Sequence, residues 1–253
     1  MRPLSLLASL MFAGLAACAS QSPEAKPTAM AKDMPSPAAM ATDAETQGDW
    51  KSAARHWEQA AAAAPEDRTI ALRTVRALRL SSSCGRASSY LERLFKTDAE
   101  SADVLLETGK CHLVSGRYQA AEAALSAALT VAPESWEVET VLATTYDLME
   151  RSETARTHHE RAESLAPHNS LVLSNQGLSR ALAGDLPGAL TVMRRAAAEP
   201  SAPARVRMNL AFLEAVNGRG DVAAMMARQE ASGDADSVKL LQRISAAVNR
   251  ANS

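Results

Sequence analysis

The sequence predicts an all-α protein, an α-solenoid of antiparallel helix pairs, and two observations lead to this prediction. The first is composition: of 253 residues, 53 are alanine and only 4% are aromatic. Alanine, leucine, arginine, glutamate and glutamine favour helices, whereas the β-branched and aromatic residues that sheets prefer are sparse. The second is a repeat of 34 residues, the length of a helix-turn-helix unit, which recurs about six times.

The repeat is visible first in its glycines. Gly48, Gly116, Gly184 and Gly218 are separated by 68, 68 and 34 residues. Counting from residue 34 gives six units without an insertion, at 34–67, 68–101, 102–135, 136–169, 170–203 and 204–237. Position 20 is alanine in every unit, at Ala53, Ala87, Ala121, Ala155, Ala189 and Ala223. We therefore expect one continuous array over residues 37–237.

Other positions of the unit indicate how its two helices pack. Positions 8, 20 and 27 hold mostly small residues, which allow two helix axes to approach closely. Position 24 is mostly larger, as at Trp57, Leu91, Leu125 and His159. We expect the side chain at position 24 to fill the space between the paired helices.

The predicted helices follow in chain order. The opening helix, near 37–47, has the weakest pattern, and we expect it to fray. The later pairs are expected at 68–80 and 84–97, 103–115 and 118–131, 137–149 and 152–165, 171–183 and 186–198, and 204–217 and 220–230. Glycine near each turn allows a positive φ, and proline after the second helix ends it. An apolar spacing after residue 237 predicts a C-terminal capping helix within 238–253.

These units resemble the tetratricopeptide repeat (TPR), and the cleanest copy runs from Gly109 through Gly116-Arg117-Tyr118 to Pro133. Unit two departs from the pattern, with Ser82 and Ala99 where glycine and proline are usual. The resemblance implies a concave groove that binds peptides through first-helix positions 2, 5, 6, 9, 12 and 13. The implied groove residues are Leu106, Glu107, Lys110, Thr140, Thr144, Ser174, Asn175, Leu178, Arg205, Met208, Asn209 and Phe212.

Four of these residues have implied roles. Asn175 and Asn209 share position 6, where TPR proteins often hold the backbone amide of a ligand. Phe212 and Met208 would supply an apolar anchor of the kind that dominates binding energy. The alternative is that this surface is solvated or covered by the chain itself.

The N-terminus has the pattern of an export signal. Arg2 is followed by an apolar stretch from Leu4 to Leu15, as in a secretory signal peptide. Leu15-Ala16-Ala17-Cys18 resembles the lipobox of bacterial lipoproteins, which implies cleavage after residue 17 and acylation of Cys18. Residues 18–36, rich in proline and small polar residues, are then expected to form a lipidated, disordered tether. Ala19 resembles a signal for the outer membrane of a Gram-negative bacterium, which implies a lipoprotein facing the periplasm; the alternative is a plain signal peptide.

The two cysteines that remain after Cys18 invite a disulfide. An exported chain meets an oxidising compartment, where paired cysteines form bridges. Cys84 begins a predicted second helix and Cys111 lies late in the next first helix, so antiparallel packing brings them together. The alternative is two buried free thiols, which behave as small hydrophobes.

No motif for catalysis, a metal or a cofactor is present in the sequence. His158 and His159 are adjacent, so on a helix their side chains point about 100° apart and cannot chelate one ion. His159 falls at position 24, which predicts a packed histidine. A net charge of -2 argues against nucleic acid as a partner. We expect protein partners, no small-molecule substrate and no enzymatic activity.

The last unit carries a more specific resemblance. The stretch from Ala204 to Ala215, with Gly218-Arg219 and Ala227, is similar to the final repeat of the TadD proteins of the tight-adherence (Flp) pilus system. Together with the lipid anchor and tether, it implies a factor for assembling a pilus secretion machine, such as a pilotin or scaffold for the secretin. The alternatives are an adaptor for periplasmic proteases or cell-wall enzymes and, from another class, an enzyme.

Overall fold

The structure, a computed structural model, describes residues 35–98 and 101–230, which fold into helices joined by short turns. The helices are α1 Pro37–Thr46, α2 Trp50–Ala63, α3 Arg68–Leu80, α4 Cys84–Asp98, α5 Ala102–Val114, α6 Tyr118–Val131, α7 Trp136–Leu148, α8 Ser152–Leu165, α9 Ser170–Leu182, α10 Leu186–Ala198, α11 Ala204–Val216 and α12 Gly220–Glu230. No strand occurs in these two ranges. The predicted signal peptide, Cys18, nearly all of the tether and the capping helix lie outside the described residues.

Polar side chains cap the N-termini of six of the twelve described helices: α1, α2, α3, α7, α9 and α10. Asp49, Asp67 and Asp185 each accept a hydrogen bond from the backbone N–H three residues on, at 2.9–3.0 Å. Ser36 does the same for α1, at 3.2 Å, with Pro37 at the first helical position. Such caps satisfy amide groups that have no partner within the helix. The opening helix α1 is therefore a capped helix of ten residues, although its sequence pattern is the weakest in the array.

Small residues bring the two helices of each unit together, as the repeat predicts. All six alanines at position 20 are fully buried. Gly109, at position 8 of unit three, faces Leu125 of the paired helix so closely that a Cβ atom on it would lie 2.5 Å from Leu125 Cγ. The residues at positions 8 and 20, with those at position 24 of units one to five, thus form the seam between the paired helices. The prediction of an all-α array of helix pairs is confirmed over the described residues.

The turn inside every unit has the same backbone conformation. At position 15 the chain adopts a positive φ in all six units. Four units place glycine there, but Ser82 has φ of 60° and Glu150 has φ of 58°. A left-handed residue with a side chain is strained, so units two and four hold this turn at a cost that the glycine units avoid.

The first helices of successive units form one layer of the array. Each helix packs against the next in sequence, and the first helices also contact one another from α3 to α5, α7, α9 and α11. The second helices make no comparable contact with each other in the described ranges. Because the first helices lie closer together, they line the inner face of the array, and the second helices lie outside them.

Candidate partner-binding groove

The inner face of units two to four contains a cavity of about 420 Å³. Helices α3, α5 and α7 line it, and its wall mixes arginines and carboxylates with two leucines, Leu72 and Leu106. Leu106 and Lys110, both predicted groove residues, are part of this wall. Lys110 is half-buried, whereas Leu106 is buried and forms part of the base. Arg76 is exposed on the same wall and presents a guanidinium to any bound segment.

One buried carboxylate organises the charges of this cavity. Glu107 accepts hydrogen bonds from Arg79 Nε at 3.0 Å and from Lys110 Nζ at 2.8 Å. Burial alone would raise the pKa of Glu107, but the neighbouring Lys110 and Arg79 outweigh it and hold that pKa below its usual value. Glu107 therefore stays ionised and fixes both cations, so its own oxygens are occupied and a ligand would meet the cations around it.

The predicted residues of units four to six are partly occupied within the chain. Asn209 Nδ2 donates to Ser174 Oγ at 3.2 Å, which joins α11 to α9. Thr144 is half-buried, and its hydroxyl donates to the carbonyl of Thr140 at 2.9 Å. Asn175 and Leu178 are half-buried and Arg205 is exposed, so these three remain accessible on the inner face.

The structure buries five of the predicted groove residues: Leu106, Glu107, Thr140, Ser174 and Met208. Met208 is only 3% exposed and packs with Ala211, Ala215 and Ala223 at the seam between α11 and α12. Phe212 is half-buried against the same cluster. Ser174 is likewise buried. The expected apolar anchor is therefore not a surface feature at Met208, because the small residues of this seam leave room for the flexible methionine to fill.

Position 13 was expected to line the groove, but no residue at this position was named from the sequence. In the structure it carries a row of exposed aliphatic residues. Five of the exposed large apolar side chains in the described ranges share that position, with exposures from 37% to 76%. They are Leu80, Val114, Leu148, Leu182 and Val216. Val131 on α6 and Met225 on α12 are the others. The signal was available, since position 13 is aliphatic in five consecutive units. We call these five residues the aliphatic row.

The two cysteines lie together between units two and three. Cys84 and Cys111 are both buried, and the structure holds them as free thiols. Burial raises the pKa of the Cys111 thiol, and its hydrogen bond with Cys84 raises it further. Antiparallel packing of α4 and α5 thus produces the predicted proximity. The disulfide itself stays a prediction.

His158 and His159 both have structural partners. His159 is buried and bonds Asp147, as position 24 predicts. Ser179 donates to the same carboxylate at 2.7 Å rather than to the imidazole, so these three residues do not form a nucleophile–base pair. His158 meets Glu139 at 2.6 Å and stacks on Tyr146. No metal-binding cluster of histidine, cysteine and carboxylates occurs in the described part of the chain.

Comparison with known proteins agrees with the repeat architecture. Residues 38–83 and 72–135 match the model of the tetratricopeptide repeat family. No curated protein matches the chain in sequence. Across residues 35–98 and 101–230, no helix is long and apolar enough to cross a membrane.

Solved TPR structures share the fold at low sequence identity. TTC0263, a thermophilic TPR protein of Thermus thermophilus, has a TM-score of 0.65 at 21% identity, covering 71% of this chain and 98% of its own. PilW, a widely conserved type IV pilus biogenesis factor, has a TM-score of 0.62 at 14% identity, covering 82% and 96%. PilF of Pseudomonas aeruginosa has a TM-score of 0.54 at 17% identity, covering 80% and 93%. The fold is therefore that of a TPR solenoid.

Proposed function

We propose that this protein is a membrane-anchored, protein-binding scaffold, and that it serves as a TadD-like factor in the assembly of a Flp/Tad pilus secretion machine. The aliphatic row supports the protein-binding role in this proposal. Single exposed aliphatic residues are ordinary, but one at the same position of five consecutive units forms a repeated feature along the array. A polypeptide lying on the inner face would bury these side chains in series.

The groove supplies the polar part of such an interface. Arg76 and Lys110 offer donors near the cavity of units two to four, and Asn175 and Arg205 offer further polar groups in units five and six. Interfaces combine an apolar centre with a polar rim in this way. Residues already bonded within the chain, such as Glu107 and Ser174, would shape the groove rather than contact the partner.

The pilus assignment depends on the resemblance of residues 204–227 to the last TadD repeat. PilF and PilW have the same fold, but at 14–17% identity that likeness concerns the architecture only. On this proposal the partner is a secretin or another Tad component. The lipid on Cys18 would hold the array at the outer membrane, where a secretin is assembled.

Crosslinking in the native envelope tests the binding face. Leu182→Glu with Leu148→Glu places two charges on the aliphatic row, and we expect the yield of crosslinked secretin and the number of surface pili to fall about tenfold or more. Val131→Glu is the matched control, because Val131 is 50% exposed on a second helix, outside the row. Unchanged secretin recovery and piliation in a double variant of native helicity would place binding elsewhere.

Membrane fractionation tests the anchor separately. Cys18→Ala removes the acylation site, so we expect the protein to move from the membrane to the soluble periplasm. The double variant Asn175→Ala with Asn209→Ala is expected to keep the protein in the membrane while weakening partner capture, because it removes the accessible amide of Asn175 and the Asn209–Ser174 hydrogen bond that shapes the groove. Membrane attachment that persists in Cys18→Ala would contradict the lipoprotein assignment.

A further inference from the structure

Position 9 of each unit lies about one helical turn before the aliphatic row, and its chemistry changes along the array. Residues four apart on a helix share a face, so each side chain at position 9 adjoins a member of the row at position 13. From unit two to unit six the residues at position 9 are Arg76, Lys110, Thr144, Leu178 and Phe212. All five are exposed or half-buried. Beside the row, the inner face is therefore cationic in units two and three, neutral in unit four and apolar in units five and six.

Arg76, the first cation of this series, has no ion pair within the described ranges. The other arginines that line the same cavity are engaged. Arg68 is paired with Asp103 at 3.3 Å. Arg73 is paired with Glu45, also at 3.3 Å. Arg76 is exposed on the wall of this cavity of about 420 Å³, so its guanidinium can bind an anionic group that enters.

Lys110, the second cation, is only partly neutralised. It shares the single carboxylate of Glu107 with Arg79, so two cations face one anion. The side of the cavity formed by α3 and α5 therefore keeps an excess of positive charge. Across the cavity, Glu137 of α7 is exposed and has no ion pair in the described part of the chain. Because Glu137 would repel a carboxylate placed over α7, an anionic group is favoured only over α3 and α5.

Leu178 and Phe212 give the other end of the series the opposite character. Both are half-buried, since each packs against the core with part of its side chain. Each adjoins a more exposed member of the aliphatic row, Leu182 at 76% and Val216 at 48%. Apolar surface is thus continuous from position 9 to position 13 in these two units. Arg205, an exposed cation of α11, lies about two turns away at position 2.

We propose that the inner face binds a polypeptide segment of polarised composition, with acidic side chains over units two and three and apolar side chains over units five and six. This inference rests on the proposed function, because it names the chemistry of the partner for the same face. Complementary charges orient a partner and select against others, whereas the apolar contacts add affinity that does not depend on charge. The change at position 9 would therefore set the direction in which the segment lies. A nucleic acid would supply negative charge but no apolar side chains for units five and six.

The size of the array fixes the length of a suitable probe. Packed helices lie about 8–10 Å apart, so the first helices of units two to six span roughly 32–40 Å. An extended segment rises about 3.3 Å per residue, so about 12 residues cover this distance. The probe is the labelled, amidated peptide Asp-Asp-Leu-Ser-Ser-Leu-Ser-Ser-Leu-Ser-Ser-Leu. A neutral probe has two asparagines in place of the aspartates, and a third probe has the two aspartates in place of the central pair of serines.

Fluorescence anisotropy of the three probes with the full chain tests the proposal. We expect the aspartate probe to bind about five- to tenfold more tightly than the neutral probe at low salt, and this preference should shrink as salt screens the charges. The probe with central aspartates should bind no better than the neutral probe, since its charges would lie over the neutral and apolar units. Equal binding of the aspartate and neutral probes, or no binding of the aspartate probe, would overturn the proposal. A central-aspartate probe that binds as tightly as the first would overturn it too, because attraction would then not depend on position.

Variants assign the two halves of the face. Arg76→Gln should lower the preference for the aspartate probe about two- to threefold, and Arg76→Glu should abolish it, without weakening the neutral probe. Arg93→Gln is the matched control, because it removes the same charge from an exposed arginine of unit two, on the second helix α4. Leu178→Ala should instead weaken the aspartate and neutral probes alike. If Arg76→Gln and Arg93→Gln behave identically in chains of native helicity, the acidic end does not lie over unit two and the proposal is wrong.

The outcome can be separated from that of the proposed function. Suppose that both probes bind equally and that Leu182→Glu with Leu148→Glu abolishes this binding. The aliphatic row would then still bind protein, and only the polarity of the segment would be refuted. Failure of the proposed function is read from secretin crosslinking in the envelope, which the probes do not enter.

Discussion

Units three and four occupy equivalent places in the array but fill the seam between their helices differently. Unit three has Leu113 and Leu125 at positions 12 and 24, where unit four has Asp147 and His159. Leu125 is fully buried against Gly109, whose missing Cβ gives it room. His159 is equally buried, but it is held by a carboxylate. The repeat thus fixes how deeply position 24 is buried, and it leaves the chemistry of that position free.

The difference has an energetic consequence. Leu125 contributes through apolar burial and close packing, which need no particular partner. The Asp147–His159 pair must first offset the desolvation of two polar groups, and its net contribution to stability is therefore smaller than its geometry suggests. The polar seam also leaves the buried His159 Nδ1 without a hydrogen-bond partner among the described residues, a cost that an apolar seam avoids.

The largest effect is expected from emptying the apolar seam. Leu125→Ala should lower the free energy of unfolding by about 3–5 kcal/mol, because it removes a fully buried side chain and the surrounding helices cannot collapse completely. Urea unfolding followed by circular dichroism measures this loss. Leu129→Ala, at a partly buried position of α6, is the control and should cost less. A loss below about 1 kcal/mol for Leu125→Ala would mean that the seam repacks, and it would contradict the apolar stabilisation assigned to unit three.

A second large effect is expected at the junction of units two and three, where Cys84 and Cys111 meet. A bridge between them closes a 28-residue loop, counted inclusively, and is expected to stabilise the oxidised protein by about 3–4 kcal/mol in the chain-entropy model. If the protein is exported as proposed, alkylation before reduction, followed by mass spectrometry, should leave both cysteines unmodified. Labelling of both cysteines would show that this junction depends on packed free thiols, as apolar as the seam of unit three.

An intermediate effect on stability is expected when the polar seam residues of unit four are replaced by the leucines of unit three. His159→Leu alone should cost about 2 kcal/mol, because Asp147 remains buried with Ser179 as its hydrogen-bond donor. Asp147→Leu alone should cost a similar amount. The double variant should lose less than either single variant, since both positions are then apolar as in Leu113 and Leu125. A double loss equal to the sum would show that the two residues act independently.

Much of the fold was predictable, because the same requirement for small residues between paired helices recurs in all six units. The alanines at position 20 mark the seam in every unit, and the observed bounds of α3 to α12 lie within one residue of the prediction. The polar seam was not predictable in the same way. The hydrogen-bond network of this seam joins three helices through His159, Asp147 and Ser179. The spacing of these residues in the sequence does not indicate that they are bonded.

The groove was predicted less well than the seam for a related reason. A family position indicates which face a residue lies near, but the volume of its neighbours decides whether the side chain reaches the surface. Met208 is buried because Ala211, Ala215 and Ala223 leave space beside it. The aliphatic row is the converse: Leu182 is 76% exposed because position 13 ends its helix, beyond the reach of the paired helix.

The smallest effect is expected at the turns, and it separates units two and four from the other four. Ser82 and Glu150 adopt a positive φ that glycine reaches without strain. Ser82→Gly and Glu150→Gly should each stabilise the fold by about 0.5–1 kcal/mol, since relief of strain outweighs the greater entropy of glycine in the unfolded chain. Gly116→Ala is the converse, because no atom lies within 4 Å of its Cβ site and any loss reports the backbone alone. Thermal unfolding of the three variants measures these changes. If Glu150→Gly lowers the melting temperature, as we expect for Gly116→Ala, the side chain of Glu150 stabilises its turn by more than the backbone strain destabilises it.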